Sequence, residues 1–172
     1  MKVTLLASLS ADGFIAPQSN GSSLLWTSAE DTRFFIQQSK EIGTLIMGSA
    51  TFDTIQKKHL PFKGRTIIVL SNSRQITEYQ PTQVRVESGE PKEVLKKLAQ
   101  EGVTQVAITG GASIYTQFMK AGVVDELYLT IESVVFGSGI KLFNQKIDTQ
   151  LSLLEVIDLS DQTKVLHYKV EK

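Results

Sequence analysis

Val3–Leu9, Thr44–Gly48 and Thr66–Leu70 are short runs that stay apolar at almost every position instead of alternating with polar residues. A strand with one face in water alternates, so runs of this kind belong to strands covered on both faces. Thr66-Ile67-Ile68-Val69-Leu70 is the clearest of them, β-branched, uninterrupted and closed by Ser71-Asn72. Segments with helical punctuation separate these runs. Strands alternating with helices predict an α/β chain with a central sheet and helices on both of its faces.

Further along, the elements can be placed by their stop and start signals. Ser10-Ala11-Asp12-Gly13 has turn chemistry, and Phe14-Ile15-Ala16 resumes an extended apolar run. Pro17–Ser23 reads as a loop leading to Leu24-Leu25-Trp26. Thr27 or Ser28 caps a helix with Glu30 and Asp31 in its first turn, and Gly43 ends it. A second helix is expected over Ala50–Lys57, and Val84-Arg85-Val86 is a weaker strand. Pro91 opens a helix that reaches Gln100, with Gly102 as its stop. Gln105–Thr109 is a strand broken by Gly110-Gly111, after which a helix runs to Lys120. Asp125–Ser133 is a long strand, and Leu151–Asp158 with Lys164–Lys169 form a closing hairpin. The sheet is therefore mixed and mostly parallel, with the antiparallel hairpin at its C-terminal end. No repeat or linker divides residues 1–172, which reads as one domain.

Composition removes several classes of function. The 18 basic residues balance 18 acidic ones, which gives no electrostatic case for a nucleic-acid or membrane partner. Without cysteine there is no disulfide, thiolate chemistry or cysteine-ligated metal. Only His59 and His167 remain as imidazole ligands, and both are assigned to the surface, so no metal site is expected. The apolar start of the chain is short and followed by Asp12, unlike a secretory signal, so a cytoplasmic protein is expected.

Candidate chemistry gathers at strand ends. In Ile108-Thr109-Gly110-Gly111-Ala112-Ser113-Ile114-Tyr115 a strand meets two glycines and a helix begins at once. Such glycines let backbone approach a ligand, and the first helical N–H groups favour phosphate; a tight turn without a ligand would look the same. Met47-Gly48-Ser49-Ala50-Thr51 repeats the arrangement, and Leu70-Ser71-Asn72-Ser73-Arg74 is a third polar strand end. Strand ends of one sense share a sheet edge, where ligands bind in open α/β folds. Asp31 sits in a first helical turn just ahead of Phe34 and Phe35. It is either a helix-dipole complement or a carboxyl bordering an apolar pocket.

Taken in order, these segments resemble the dihydrofolate reductase superfamily, and especially the branch similar to the C-terminal reductase domain of the riboflavin-biosynthesis deaminase/reductase. The resemblance runs from Ser10-Ala11-Asp12-Gly13 through Trp26, Asp31 and the strand ends to Asp125–Thr130 and Phe136–Phe143. It implies a three-layer dihydrofolate-reductase-like fold, NADPH as cofactor, and hydride transfer to a pteridine or pyrimidine-type substrate. It further implies an unusual peptide at Gly110-Gly111, with Ala112, Ser113, Ile114 and Tyr115 completing the cofactor cradle. Gly48, Ser49 and Thr51 would border phosphate, and Leu70, Ser71, Asn72 and Arg74 the adenosine side. Ser8, Ile15 and Ala16 would line the nicotinamide pocket. Asp31, Thr130 and Trp26 would serve the substrate, with Asp31 as the carboxyl and Thr130 supporting it.

The sequence departs from that pattern at Ser49, where an arginine is usual, at Phe14, where a lysine is common, and at Leu25 before Trp26. Ser49 leaves room for another reading, a nucleotide-binding module of the same fold without efficient catalysis. The resemblance also implies a homodimer.

Overall fold

A computed structural model describes residues 1–17 and 23–172. Most of the expected Pro17–Ser23 loop lies outside the described residues. In chain order the strands are β1 (Lys2–Ser10), β2 (Phe14–Ala16), β3 (Thr44–Gly48), β4 (Thr66–Leu70) and β5 (Val84–Glu87), then β6 (Gln105–Ile108), β7 (Glu126–Glu132), β8 (Ile140–Lys141), β9 (Leu151–Asp158) and β10 (Lys164–Val170). The α-helices are α1 (Ala29–Ile42), α2 (Ser49–Thr54), α3 (Pro91–Gln100) and α4 (Ala112–Lys120).

The main sheet has the order β5-β4-β3-β6-β1-β7-β10-β9. Every pairing from β5 to β7 is parallel, and β10 runs antiparallel to both β7 and β9. The α/β reading, the mixed sheet and the C-terminal hairpin all stand.

Strand alternation assigns the helices to faces. Leu5, Ile46, Ile68 and Ile108 share one buried cluster with Leu98 of α3 and Phe118 of α4. Their chain neighbours Leu6, Leu45, Met47, Ile67 and Val69 point the other way, into a cluster with Phe35 and Ile42 of α1 and Phe52 of α2. Both faces of the central strands are thus dry, which is why their sequences lack polar alternation.

The helix ends follow local chemistry. Ser28 caps α1 by accepting a hydrogen bond from Asp31 N (3.1 Å). Gly43 closes it at φ +82°, a conformation that only glycine adopts without strain. The helix expected over Ala50–Lys57 is shorter, because Ile55 turns extended and packs into the face shared with Leu45 and Met47. A 3-10 turn over Lys57–His59 follows.

β8 has no signature in the sequence. Its two residues pair with β2, where Phe14 faces Lys141 and Ala16 faces Ile140. Gly139, just before β8, passes so close to β2 that a Cβ there would collide with the Ala16 carbonyl oxygen. Asp12 pins the same loop from below, accepting from Gly137 N (2.7 Å) and Phe136 N (3.1 Å) and from Ser10 Oγ (2.7 Å). These bonds hold the Asp12 carboxyl below the usual aspartate range, the Ser10 hydroxyl contributing most.

His167 is not a simple surface residue as its sequence context suggested. It stacks on Tyr128 with ring centroids 3.9 Å apart, and its Nε2 lies 3.0 Å from Glu126 Oε2. The partners come from β7, opposite it in the ladder, and so were invisible from its own neighbours. Among the described residues no helix is long and apolar enough to cross a membrane.

Candidate functional site

The β3–β6 ladder runs out at glycines. Thr109 N donates to Ile46 O (2.9 Å), and Gly48 N then donates to Gly110 O (2.8 Å). The Gly110–Gly111 peptide is cis, and Gly110 has φ +118°. There is little spare room at this junction. A Cβ at Gly111 would stand 3.1 Å from Thr51 Oγ1, and one at Gly48 would stand 3.0 Å from the Ile114 side chain.

From this junction a cavity of about 540 Å³ opens along the C-terminal ends of the parallel strands. That size suits a small-molecule ligand. One limb is lined by Gly48, Ser49, Thr51, Leu70 and residues Gly110 to Tyr115. The N-cap Gly111 supplies no side-chain bond to the first turn of α4, so its leading N–H groups remain available for an anionic ligand. Ser71, Asn72 and Arg74, expected on the adenosine side, are not part of this lining. Arg74 is instead committed within the chain: Nη1 lies 2.6 Å from Asp53 Oδ1, and the guanidinium lies 5.3 Å over the Phe52 ring.

The other limb is built by Ser8, Ile15, Ala16, Asp31, Phe34, Phe35, Tyr128 and Thr130. Ser8 and Thr130 face each other across the β1–β7 ladder. Asp31 comes from the first turn of α1 and is only 5% exposed, with Ser8 Oγ donating to its Oδ2 (2.8 Å). Burial pushes the Asp31 carboxyl above the usual aspartate range, and the nearby Glu132 carboxylate pushes the same way. The hydroxyls of Thr130, Ser8 and Thr27 partly offset this by favouring the charged form. Tyr115 of α4 closes the floor, its hydroxyl donating to Leu6 O (2.7 Å), and burial raises its own pKa far out of the working range.

Of the residues expected to serve the substrate, Asp31 and Thr130 thus meet in the cavity. Trp26 is not among its lining residues and packs edge-on against Phe136, centroids 5.0 Å apart. Two residues went unremarked in the sequence. Tyr128 lines the cavity, and Glu132 is a buried carboxylate behind it. The available signal was the two-residue period of β7, which carries 128, 130 and 132 on one side of the strand.

Residues 1–165 match the model of the RibD C-terminal domain family. The Bacillus subtilis protein YwjB is 27% identical over 172 residues, with 97% of each chain covered. Among solved structures, a Shewanella sp. PV-4 protein assigned to riboflavin biosynthesis superposes with a TM-score of 0.85 at 18% identity, covering 100% of both chains. Dihydrofolate reductase from Enterococcus faecalis, solved with NADP(H), superposes with a TM-score of 0.69 at 20% identity, covering 99% of this chain and 97% of that one.

A raised carboxyl pKa in the folded state means that folding favours the protonated form. Its contribution to stability is complete below the unfolded value of 3.8 and is lost as pH rises through the folded pKa. Asp31→Asn removes that loss. The variant is expected to have a higher Tm than the parent at pH 7, with the gap narrowing as pH falls toward 4. Thermal unfolding across this range tests it, and a gap that does not depend on pH would refute the assignment.

Proposed function

This chain belongs to the RibD C-terminal domain family, and we propose that it is an NADPH-dependent reductase that delivers hydride to a pteridine or pyrimidine-type heterocycle. The observation that carries this reading is that one cavity is lined by two groups of residues of different chemistry. A glycine junction at the start of α4 forms one, and an apolar recess holding a buried carboxyl forms the other.

The first limb fits the cofactor. Its glycines put no side chain between a ligand and the main chain, and a Cβ at Gly48 or Gly111 would press on Ile114 or Thr51. The N–H groups of Ala112 and Ser113 would face the pyrophosphate, with Ser49 and Thr51 hydroxyls beside it. When bound, the cofactor supplies the hydride; the protein orients the two rings and keeps water away.

In the second limb, Asp31 supplies what a ring N–H and an adjacent amino group recognise, a carboxyl with two oxygens in one plane. Ser8 holds Oδ2, which fixes the carboxyl relative to β1. Its raised proton affinity suits a group that gives up a proton while hydride arrives at the ring. Phe34, Phe35 and Tyr128 supply the flat apolar walls. The same reading places the protein in the cytosol, with no nucleic-acid partner.

The second reading, a nucleotide-binding module without efficient turnover, is favoured by one observation. Ser49 supplies no cation, and the Arg74 charge is already paired with Asp53. The adenosine end therefore holds a 2′-phosphate weakly unless that pair opens.

A homodimer is part of the proposal. β9 is an edge strand, and Leu153, Leu154 and Val156 on it are 53%, 51% and 51% exposed. An edge with free backbone groups and apolar side chains is suited to pairing with a second copy about a two-fold axis.

Three outcomes are expected. NADPH should bind saturably, and Asp31→Asn should weaken 2,4-diaminopyrimidine at least tenfold (about 1.4 kcal/mol) while leaving NADPH affinity intact. Absence of NADPH binding would end the reductase reading, and unchanged diaminopyrimidine affinity would remove Asp31 from recognition. Asp53→Asn should release Arg74 and raise the preference for NADPH over NADH severalfold; equal ratios in parent and variant would leave Arg74 outside the cofactor site. Sedimentation velocity should give twice the chain mass, and Leu154→Lys should shift it toward the monomer, whereas a monomeric parent would dismiss the dimer.

A further inference from the structure

Glu132 is a carboxylate with no evident reason to be buried. It is 6% exposed at the last position of β7, and no cation pairs with it among the described residues. Such a group is costly unless hydrogen bonds replace its water. Three do. Oε1 accepts from both Ser28 N (2.8 Å) and Ser28 Oγ (2.8 Å), and Oε2 accepts from Thr163 Oγ1 (3.0 Å). Thr163 is itself 1% exposed.

Ser28 is the cap of α1, so the grip on it is a grip on the helix. Its hydroxyl donates to Glu132 and accepts from Asp31 N (3.1 Å), which links the two carboxylate residues through one oxygen atom. The first turn of α1 is thereby tied to the end of β7, and Asp31 is carried on that turn. Thr130, two residues before Glu132 on the same strand, borders the cavity next to Asp31.

We propose that Glu132 is a positioning residue for Asp31: through Ser28 it holds the first turn of α1, and with it the Asp31 carboxyl, in the cavity, and it stands a second carboxyl near that one. This rests on the reading of Asp31 as the substrate-facing acid. The groups facing Asp31 are Ser8 from β1, Tyr115 from α4, Thr130 and Glu132 from β7, and Thr27 ahead of its own helix. Of these only Glu132 brings a second carboxyl group. Glu30 and Arg33 on α1 pair with each other at the exposed side of the helix (2.5 Å). Lys164 is occupied by Asp158 (2.9 Å), and Asp12 takes the hydroxyl of Ser10 (2.7 Å), the residue opposite Glu132 in the β1–β7 ladder.

Carbon-13 NMR of the side-chain carboxyls tests this on the whole protein without substrate or cofactor. Glu132→Gln keeps an oxygen that can accept from Ser28 but removes the charge. It should lower the proton affinity of Asp31, because a like charge has been taken from its surroundings. Glu132→Asp keeps the charge and should stay nearer to the parent than to Glu132→Gln. An unchanged Asp31 midpoint in Glu132→Gln, or equal drops in both variants, would refute it. If Asp31 proved irrelevant to diaminopyrimidine binding, the functional reading would fall while these titrations still judged Glu132.

Discussion

Where β3 and β6 stop, one hydrogen bond from Gly48 N to the Gly110 carbonyl (2.8 Å) still holds them edge to edge. Beyond it the chain divides. α2 follows β3 to the face that buries Phe52, while α4 follows β6 to the face that buries Ile114, Tyr115 and Phe118. Two helices leaving neighbouring parallel strands on opposite sides open a crevice at the strand ends, which is where open α/β sheets place their ligands. The cavity is thus a product of topology before any side chain is considered. The glycines let the chain pack this closely around it, since a Cβ at Gly48 or Gly111 would press on Ile114 or Thr51.

Charge is handled sparingly in that crevice. A carboxyl as buried as Asp31 opposes folding at neutral pH, and a second one at Glu132 adds to the cost. The chain meets it with hydroxyls: Ser8 on Asp31, and Ser28 with Thr163 on Glu132. Hydroxyls can turn to donate or accept, so the network survives a change of protonation that a fixed cation would resist. Stability is given up here that apolar packing at the same positions would have kept.

The central strands and most helix ends were legible because their signals are local. Unbroken aliphatic runs marked β3 and β4, and Ser28 and Gly43 marked the ends of α1. The ordered motifs identified the family and brought Asp31 and Thr130 to one cavity. What escaped depends on partners distant in sequence. β8 is two residues long and exists only through β2, while α2 ends early because Ile55 finds a place in the core. Ser28 and Glu132 are separated by 104 positions, and no local pattern announces that one will grip the other. Arg74 was expected on the adenosine side, but its charge is claimed by Asp53 of α2.

The position of β1 in the sheet bears on how the chain is made. β1 lies between β6 and β7, with Lys2 facing Gln105 and Thr4 facing Glu126. Its aliphatic residues therefore emerge from the ribosome long before either neighbour exists. Pairing that spans so much chain closes slowly, because a large loop must be ordered first. Until β7 is synthesised, a strand that the finished fold buries almost throughout has a bare edge, a state in which nascent chains are prone to aggregate.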